Sequence, residues 1–477
     1  MPSEQKRVVM LSPMPPEKSA YALARYSRSA DSIVQSVEWV RTHDSRKFLE
    51  SFYFQYGHAS IADLGHLAVC FEGISELAAT ELEDEQLWDG QAKSTRYQDF
   101  SKFGFIVPPE FDAAQAELYQ NTGRRLIETY QAVHKAVFAL LTQELPKPEA
   151  MKQDAYERNL AARAFDVARY LLFFGIPTNV GQVVSIRSLE RQIRRLKASE
   201  YGEIRGLADE TASACAEEPA CVWDRQAPAE AIAPTLTKYV DADTHRSESQ
   251  AALRHWAEQN LPSASGVAVP RVDLVFPRDN VTEIAATLLY PVTDRPYREL
   301  QEIVSGWSVA RRMEVIETAL ASRTRRDELM REFRSAPYIF DIVMDVGAYR
   351  DMHRHRRCQQ FRQAYSGKLG FDIPEAIGRA GVTALYTETM EAAFSAMRSL
   401  PEPGSHYLLP FGALSRFLFK MDFAEVEYIS RLRSGVKGHF SYRRVAWEMK
   451  QRMDELEPEL GRLIKATPPE VEDPLTR

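Results

Sequence analysis

Chemistry is densest between Arg350 and Ser366, where RDMHRHRRCQQFRQAYS packs five arginines and two histidines into seventeen residues. The surrounding chain is acidic: 67 Asp and Glu against 60 Lys and Arg give a formal net charge of −7. A general nucleic-acid binder needs a wide basic surface with interleaved aromatics. Only Phe361 and Tyr365 accompany this cluster, so no nucleic-acid partner is expected. If Arg350 to Arg357 were helical, Arg350, Arg354 and Arg357 would share a face and repel by roughly 0.2–0.5 kcal/mol per pair. Surface acids could relieve that repulsion, and so could a bound anion. Arginine grips phosphate through two N–H groups and keeps its charge in a dry pocket, which makes a phosphate-bearing ligand the sharper reading. A second basic stretch, KSTRY (Lys93–Tyr97), lies far away in the first half of the chain. The cysteines Cys70, Cys215, Cys221 and Cys358 form no C-x-x-C spacing, so neither a disulfide framework nor a metal site is expected.

These residues need elements to position them, and 477 residues are enough for two or three domains. Apolar spacing is mostly helical from Ser29 to Thr80, with Gly57 as a stop and a new start at Ser60. Long amphipathic helices are predicted at 112–145 and 154–174, with FGIPTN (Phe174–Asn179) as the break, and a further helix from Ser185 to about Leu207. Between Cys215 and Pro270 the composition shifts toward Ala, Pro, Glu and Ser, as in a linker.

The second half then repeats the first. RVDLVFP opens it as KRVVMLSP opens the chain. SAPYIFDIVMDVGAYRDM stands in the place of GHLAVCFEGISELAATEL, and YLLPFGALSRFLFKMDFAEVEYISRLR parallels YLLFFGIPTNVGQVVSIRSLERQIRRLK. Two copies of one unit are expected, with halves at 1–212 and 266–477 and a linker region at 213–265. No apolar run approaches the roughly 20 residues that cross a bilayer. The N-terminus lacks the apolar core and cleavage site of a secretory signal, so a cytoplasmic protein is expected.

The arginine segments resemble those of the flavin-dependent thymidylate synthases, whose signature is Arg-His-Arg, seven residues, then Ser-x-Arg-Tyr. Arg354-His355-Arg356 matches the front of the signature, but its serine position is Ala364; Ser94-Thr95-Arg96-Tyr97 matches the back, whereas Asp84, Glu85 and Gln86 stand where Arg-His-Arg would be. The same sorting recurs further on. The family's arginine before a Leu-Pro break is matched by Arg169 in the first half, with His406 in the second. Its late Leu-Arg pair is matched by Leu432-Arg433 in the second half only. Each half keeps what the other has lost.

The resemblance implies an α/β (α+β) fold in which the two copies form a pseudo-dimer, with two chains giving a homodimer like the family's four-subunit assembly. It also implies one composite site per chain. Ser94, Arg96, Tyr97, Arg169 and Arg354 would hold a uridine-type nucleotide similar to dUMP, and Arg433 would be catalytic, favouring the electron-rich form of the pyrimidine ring. Arg354, His355 and Arg356, with His58, Ser60 and Arg187, would bind FAD. The implied reaction is methyl or methylene transfer, with methylenetetrahydrofolate as donor and NADPH as reductant. Departures are equally specific: Ala92 replaces a family glutamate, Asp351 a glutamine, and the Asn-x-Arg of the flavin site reads Ser185-Ile186-Arg187. A protein that kept a nucleotide or flavin pocket without turnover is the competing expectation.

Overall fold

A computed structural model describes residues 14–27, 29, 32–50, 59–85, 87–96, 99–102, 104–219, 231, 235, 240–242, 270–275, 279–289, 297–320, 329, 331–473 and 475. The opening KRVVMLSP, the helix stop at Gly57, His58, Gln86, Tyr97 and most of the 213–265 region lie outside the described residues.

In chain order the first half runs α1 (Pro16–Tyr26), α2 (Ile33–Thr42), α3 (Ser45–Leu49), β1 (His66–Ser75), α4 (Glu76–Glu83), β2 (Asp89–Ala92), α5 (Ala113–Glu144), α6 (Gln153–Ala168), β3 (Pro177–Ser185), α7 (Ile186–Lys197) and α8 (Gly202–Ala216). The second half runs β4 (Val272–Val275), α9 (Asn280–Leu289), α10 (Tyr297–Ser305), α11 (Val309–Leu320), β5 (Tyr338–Asp345), α12 (Val346–Met352), β6 (Gln359–Arg362), α13 (Glu375–Arg379), α14 (Thr383–Ser399), β7 (Leu414–Met421), α15 (Phe423–Arg433), α16 (Phe440–Leu456) and α17 (Pro458–Gly461). The class is α+β, with two small sheets. Their orders are β1-β3-β2 and β4-β5-β7-β6, and every pairing is antiparallel. The counterparts β1/β5, β3/β7 and β2/β6 hold the same places, and β4 adds an edge. The repeat read from sequence therefore reappears as strand order.

A common piece of chemistry makes these strands turn into helices. Ser75, Ser185, Asp345 and Asp422 each end a strand in extended geometry and accept a hydrogen bond from the backbone three residues on, at 2.9, 3.2, 2.8 and 3.0 Å. Such a cap satisfies an otherwise orphaned helix N–H and contributes about 1 kcal/mol. The caps also set boundaries that periodicity misplaced. The helix expected from Ser185 starts after the cap and breaks at Ala198–Tyr201 before α8. On the other side of the repeat, α12 closes at Met352, so Arg354 and Arg357 do not share a helical face with Arg350.

The chain divides into two compact units that interleave in sequence. The first comprises Met1–Lys93, Ile106–Ala113 and Pro177–Ala264, the second Ser94–Phe105, Ala114–Ile176 and Ser265–Arg477. In the first unit, β1 carries a bulge between Phe71 and Ile74. Gly73 takes φ +65° there, a left-handed conformation that suits glycine, and its N–H donates to Asn179 Oδ1 at 2.9 Å.

In the second unit, β5 alternates from Tyr338 to Met344 and β7 from Ser415 to Met421. Phe340 and Ile342 face inward beside their partners Phe419 and Phe417, and join Ile284, Met449 and Met453 in one core. Each such side chain contributes roughly 1.5–3 kcal/mol by leaving water.

The second unit also holds both of the matching breaks, YLLFFG and YLLPFG. Phe174 N–H donates to Leu409 O at 3.2 Å and Phe411 N–H to Leu172 O at 2.7 Å; Gly175 N–H donates to Tyr407 O at 2.7 Å and Gly412 N–H to Tyr170 O at 2.9 Å. In the alignment of the halves these are two reciprocal pairs of bonds. Phe173 bridges its own counterpart, Pro410. Glycine is required at 175, because a Cβ there would lie 1.8 Å from Tyr119 Oη.

Candidate functional site

Because the second unit contains 94–105 and 114–176 together with the second half, residues of both basic stretches meet inside one unit. Arg96 follows Ser94, whose Oγ accepts the Arg96 N–H at 3.3 Å. The Arg96 guanidinium is buried and donates to both oxygens of Asp166, from Nε at 2.8 Å and Nη2 at 3.1 Å, to Tyr442 Oη at 3.2 Å and to Lys437 O at 3.2 Å. Burial opposes its charge, yet Asp166 holds it protonated above its ordinary range.

One helical turn beyond Asp166, α6 gives way to a 3₁₀ turn that opens with Arg169, 1% exposed. Arg169 donates from both terminal nitrogens to Asp351 Oδ2, at 3.1 and 3.2 Å, and to Gly347 O at 3.3 Å. Burial pushes the Asp351 carboxyl up. The guanidinium of Arg169, followed by those of Arg354, Arg96 and Arg350, outweighs that effect and brings its pKa down to about 2. Arg350 donates to Thr95 Oγ1 at 3.3 Å and lies over the Phe411 ring at 4.7 Å.

Arg433 ends α15. Its Nε donates to His355 Nε2 at 2.7 Å and its guanidinium lies over the Tyr442 ring at 5.6 Å. An arginine cannot accept a hydrogen bond, so His355 Nε2 is unprotonated and the ring proton sits on Nδ1, 3.6 Å from Glu425 Oε1. Burial foremost, reinforced by Arg433, pushes the His355 pKa down despite Glu425, and the imidazole stays neutral at pH 7. Among the described residues Arg433 makes no ion pair, and its two terminal NH₂ groups have no hydrogen-bond partner. Arg354 is exposed and likewise makes no ion pair within 4 Å among them.

The structure thus brings Ser94, Arg96, Arg169, Arg354, His355 and Arg433 into one constellation. Arg356 is half-buried beside it in sequence. Ser60 and Arg187 lie in the first unit, where Ser60 is exposed and Arg187 pairs with Asp63 at 2.8 Å. A cavity of about 530 Å³ adjoins Asp166, Tyr170 and Arg443, but none of Arg96, Arg169, Arg354 and Arg433 lines it. Cys358 is buried and its thiol is pushed up by that burial, far from an activated nucleophile. No group of three or more metal-ligating side chains occurs among the described residues. Nor is any helix among them long and apolar enough to cross a membrane.

Sequence reading missed Asp166, Tyr442, His439 and Glu425. His439 caps α16 by accepting the Ser441 N–H at 3.2 Å on Nδ1, which leaves Nε2–H to donate to Asp166 O at 2.8 Å.

A family model described as thymidylate synthase complementing protein matches residues 9–218 and again 276–459. The chain belongs to this family. Family membership thus applies to both halves, each carrying its own copy of the domain. A UPF0159 protein of Chlamydia muridarum is 28% identical over 436 residues, covering 88% of this chain and 80% of that protein. One from Thermoplasma acidophilum is 25% identical over 496 aligned positions, covering 93% and 94%. A flavin-dependent thymidylate synthase of Clostridium tetani is 26% identical over 201 residues, covering 42% of this chain and 77% of its own length.

Proposed function

We propose that the chain is a flavin-dependent methyl or methylene transferase acting on the uracil ring of a dUMP-like ligand at one composite site. The observation that carries this reading is Arg433. Its Nε is anchored on a neutral imidazole and its plane is supported by Tyr442, and among the described residues no carboxylate pairs with it. Two unused NH₂ groups on a held guanidinium can bond a ring carbonyl and strengthen that bond as negative charge develops on the oxygen. Arg433 is therefore the catalytic residue, and Ser94, Arg96, Arg169 and Arg354 surround the ligand.

The donor set of the second unit fits a flavin. Arg354 is exposed, Arg356 is half-buried, and the buried His353 Nε2 has no hydrogen-bond partner among the described residues. Positive charge there suits a reduced, anionic ring. FAD, when bound, supplies the two-electron chemistry, with NADPH as reductant and methylenetetrahydrofolate as carbon donor. Arg354, His355 and Arg356 would hold it.

The halves 1–212 and 266–477, joined through 213–265, are read as a pseudo-dimer; the reciprocal hydrogen bonds of the two breaks support this, since paired equivalent contacts are the mark of a two-fold interface. Two chains would form a homodimer in the cytoplasm.

The first test is the absorption spectrum of freshly purified protein, with heat-released FAD measured in the supernatant. Bound FAD is the expected result. A colourless protein that takes up no added FAD would end the redox reading. It would favour a pyrimidine-binding protein without turnover, which the internal pairing of Arg96 and Arg169 with aspartates already recommends as the second reading.

A further inference from the structure

Resting on the ring chemistry proposed above, we infer that Glu425 is a positioning residue for Arg433, acting through the His355 imidazole that lies between them. The first argument is how that imidazole is held. His355 sits in the turn joining α12 to β6, where its N–H donates to Met352 O at 3.2 Å and its carbonyl accepts from Cys358 N–H and from Gln360 Nε2, both at 3.1 Å. With the backbone fixed, the ring meets three side chains of α15. Glu425 Oε1 stands 3.6 Å from Nδ1, the Tyr428 ring packs T-shaped at 5.7 Å, and Arg433 Nε donates to Nε2 at 2.7 Å. His355 and Glu425 are both buried. Each imidazole nitrogen therefore faces α15, and any contact of His355 with FAD is through the ring face.

The second argument is the tautomer. A neutral imidazole carries one ring proton, and the group facing one nitrogen decides the state of the other. Nε2 can accept from Arg433 only while that proton is on Nδ1; the alternative tautomer sets two N–H donors against each other. At 3.6 Å the Glu425 carboxylate does not close a full hydrogen bond, but its buried charge is little screened and favours a proton on the nitrogen it faces. Its other oxygen faces Arg357 Nε at 3.7 Å, an exposed guanidinium that offsets the charge. The third argument is what the imidazole leaves free. A carboxylate bonded directly to Arg433 would occupy its terminal N–H groups and offset its charge. Set behind an imidazole, the carboxylate steers the guanidinium through Nε alone, and both terminal NH₂ groups stay available to a ring carbonyl.

The test is isothermal titration calorimetry of the full chain with saturating FAD and dUMP as the probe, over a cycle of Glu425→Leu, Arg433→Ala and the double variant, with FAD content read by absorbance. Glu425→Leu should weaken dUMP binding by about tenfold with FAD content unchanged, and by less than about twofold once Arg433 is already alanine. Glu425→Gln, whose amide oxygen still accepts from Nδ1–H, should stay within about threefold of the unmodified protein, whereas Glu425→Asp, one methylene shorter, should bind as weakly as the leucine variant. Equal losses in both Arg433 backgrounds, or aspartate outperforming glutamine, would overturn the inference, because Glu425 would then serve the fold as a buried charge. The order of glutamine and aspartate decides the matter even where the leucine variant does not fold. If the unmodified protein bound no dUMP, the proposed function would fail and the inference with it. If it bound dUMP and the cycle were additive, the inference alone would fail.

Discussion

The Arg96–Asp166 pair allows a sharp test of how the site is held together. Its side chains are 11% and 4% exposed, and four hydrogen bonds converge on the guanidinium. Removing one member of a buried pair leaves the other as an uncompensated charge, at about 3–5 kcal/mol, whereas replacing both with apolar groups is often close to neutral. Arg96→Met and Asp166→Leu should therefore each cost about 3–5 kcal/mol, with Arg96→Met at the upper end because Tyr442 Oη and Lys437 O also lose a donor. The double variant should cost only about 1–3 kcal/mol, giving a coupling energy of at least about 3 kcal/mol. Urea unfolding followed by circular dichroism at pH 7 measures all four corners, with unchanged m-values as the check on two-state behaviour. If the double variant cost the sum of the singles, Arg96 and Asp166 would not be a mutually dependent pair.

Three further outcomes follow from the same geometry. Arg433→Ala should weaken dUMP binding by about tenfold or more while leaving FAD content unchanged, read by calorimetry and absorbance on one preparation; an unchanged affinity would remove Arg433 from the ring. His439 is fully buried, both of its nitrogens are committed as a neutral imidazole, and burial above all holds its pKa well below 6.5. The stability it permits at pH 7.5 should thus be lost as pH falls below the unfolded value, by about 1.4 kcal/mol per pH unit relative to His439→Asn; a gap between the two proteins that is constant from pH 7.5 to 5.5 would contradict this. Asp351 behaves with the same sign at lower pH. Its folded value of about 2 against an ordinary 3.8 means stability that is present above about pH 4 and lost toward pH 2. This amounts to about 2 kcal/mol as the difference from Asp351→Asn in the same unfolding assay.

Much of the scaffold was readable because its causes are local. A β-branched and aromatic run followed by Ser or Asp and a helix-forming stretch gives a strand, a cap and a helix wherever it occurs, and it occurs four times, although the helical spacing expected from Ser29 to Thr80 misplaced the first of these strands, β1 at His66–Ser75. The end of α12 was not readable. The charges of RHRR continue a plausible helical spacing, but Gln359–Arg362 pair as a strand with Phe417–Lys420, and that tertiary pairing stops the helix after seven residues. Within the site, the sorted arginines were visible as matches to a signature, whereas their partners were not. Asp166 and Tyr442 stand 70 and 346 positions from Arg96, separations that no local pattern announces. Asp351 stood out only as a departure from the family, and its partner, 182 positions away, became apparent in three dimensions.

The partners change what a matched arginine signifies. An arginine buried against an aspartate sustains itself: once Arg96 and Asp166, or Arg169 and Asp351, are enclosed together, losing either leaves a stranded charge, whether or not any ligand binds. A match to the signature at those positions is therefore compatible with a phosphate site and equally with its replacement by an internal carboxylate. Arg433 has no such support. It stands on a neutral imidazole and an aromatic face, and no buried carboxylate would be stranded by its loss. Its place in the fold is better explained by something that comes and goes. The case for a ring-binding site therefore rests more on the arginine without an internal anion than on the two that most resemble a phosphate clamp.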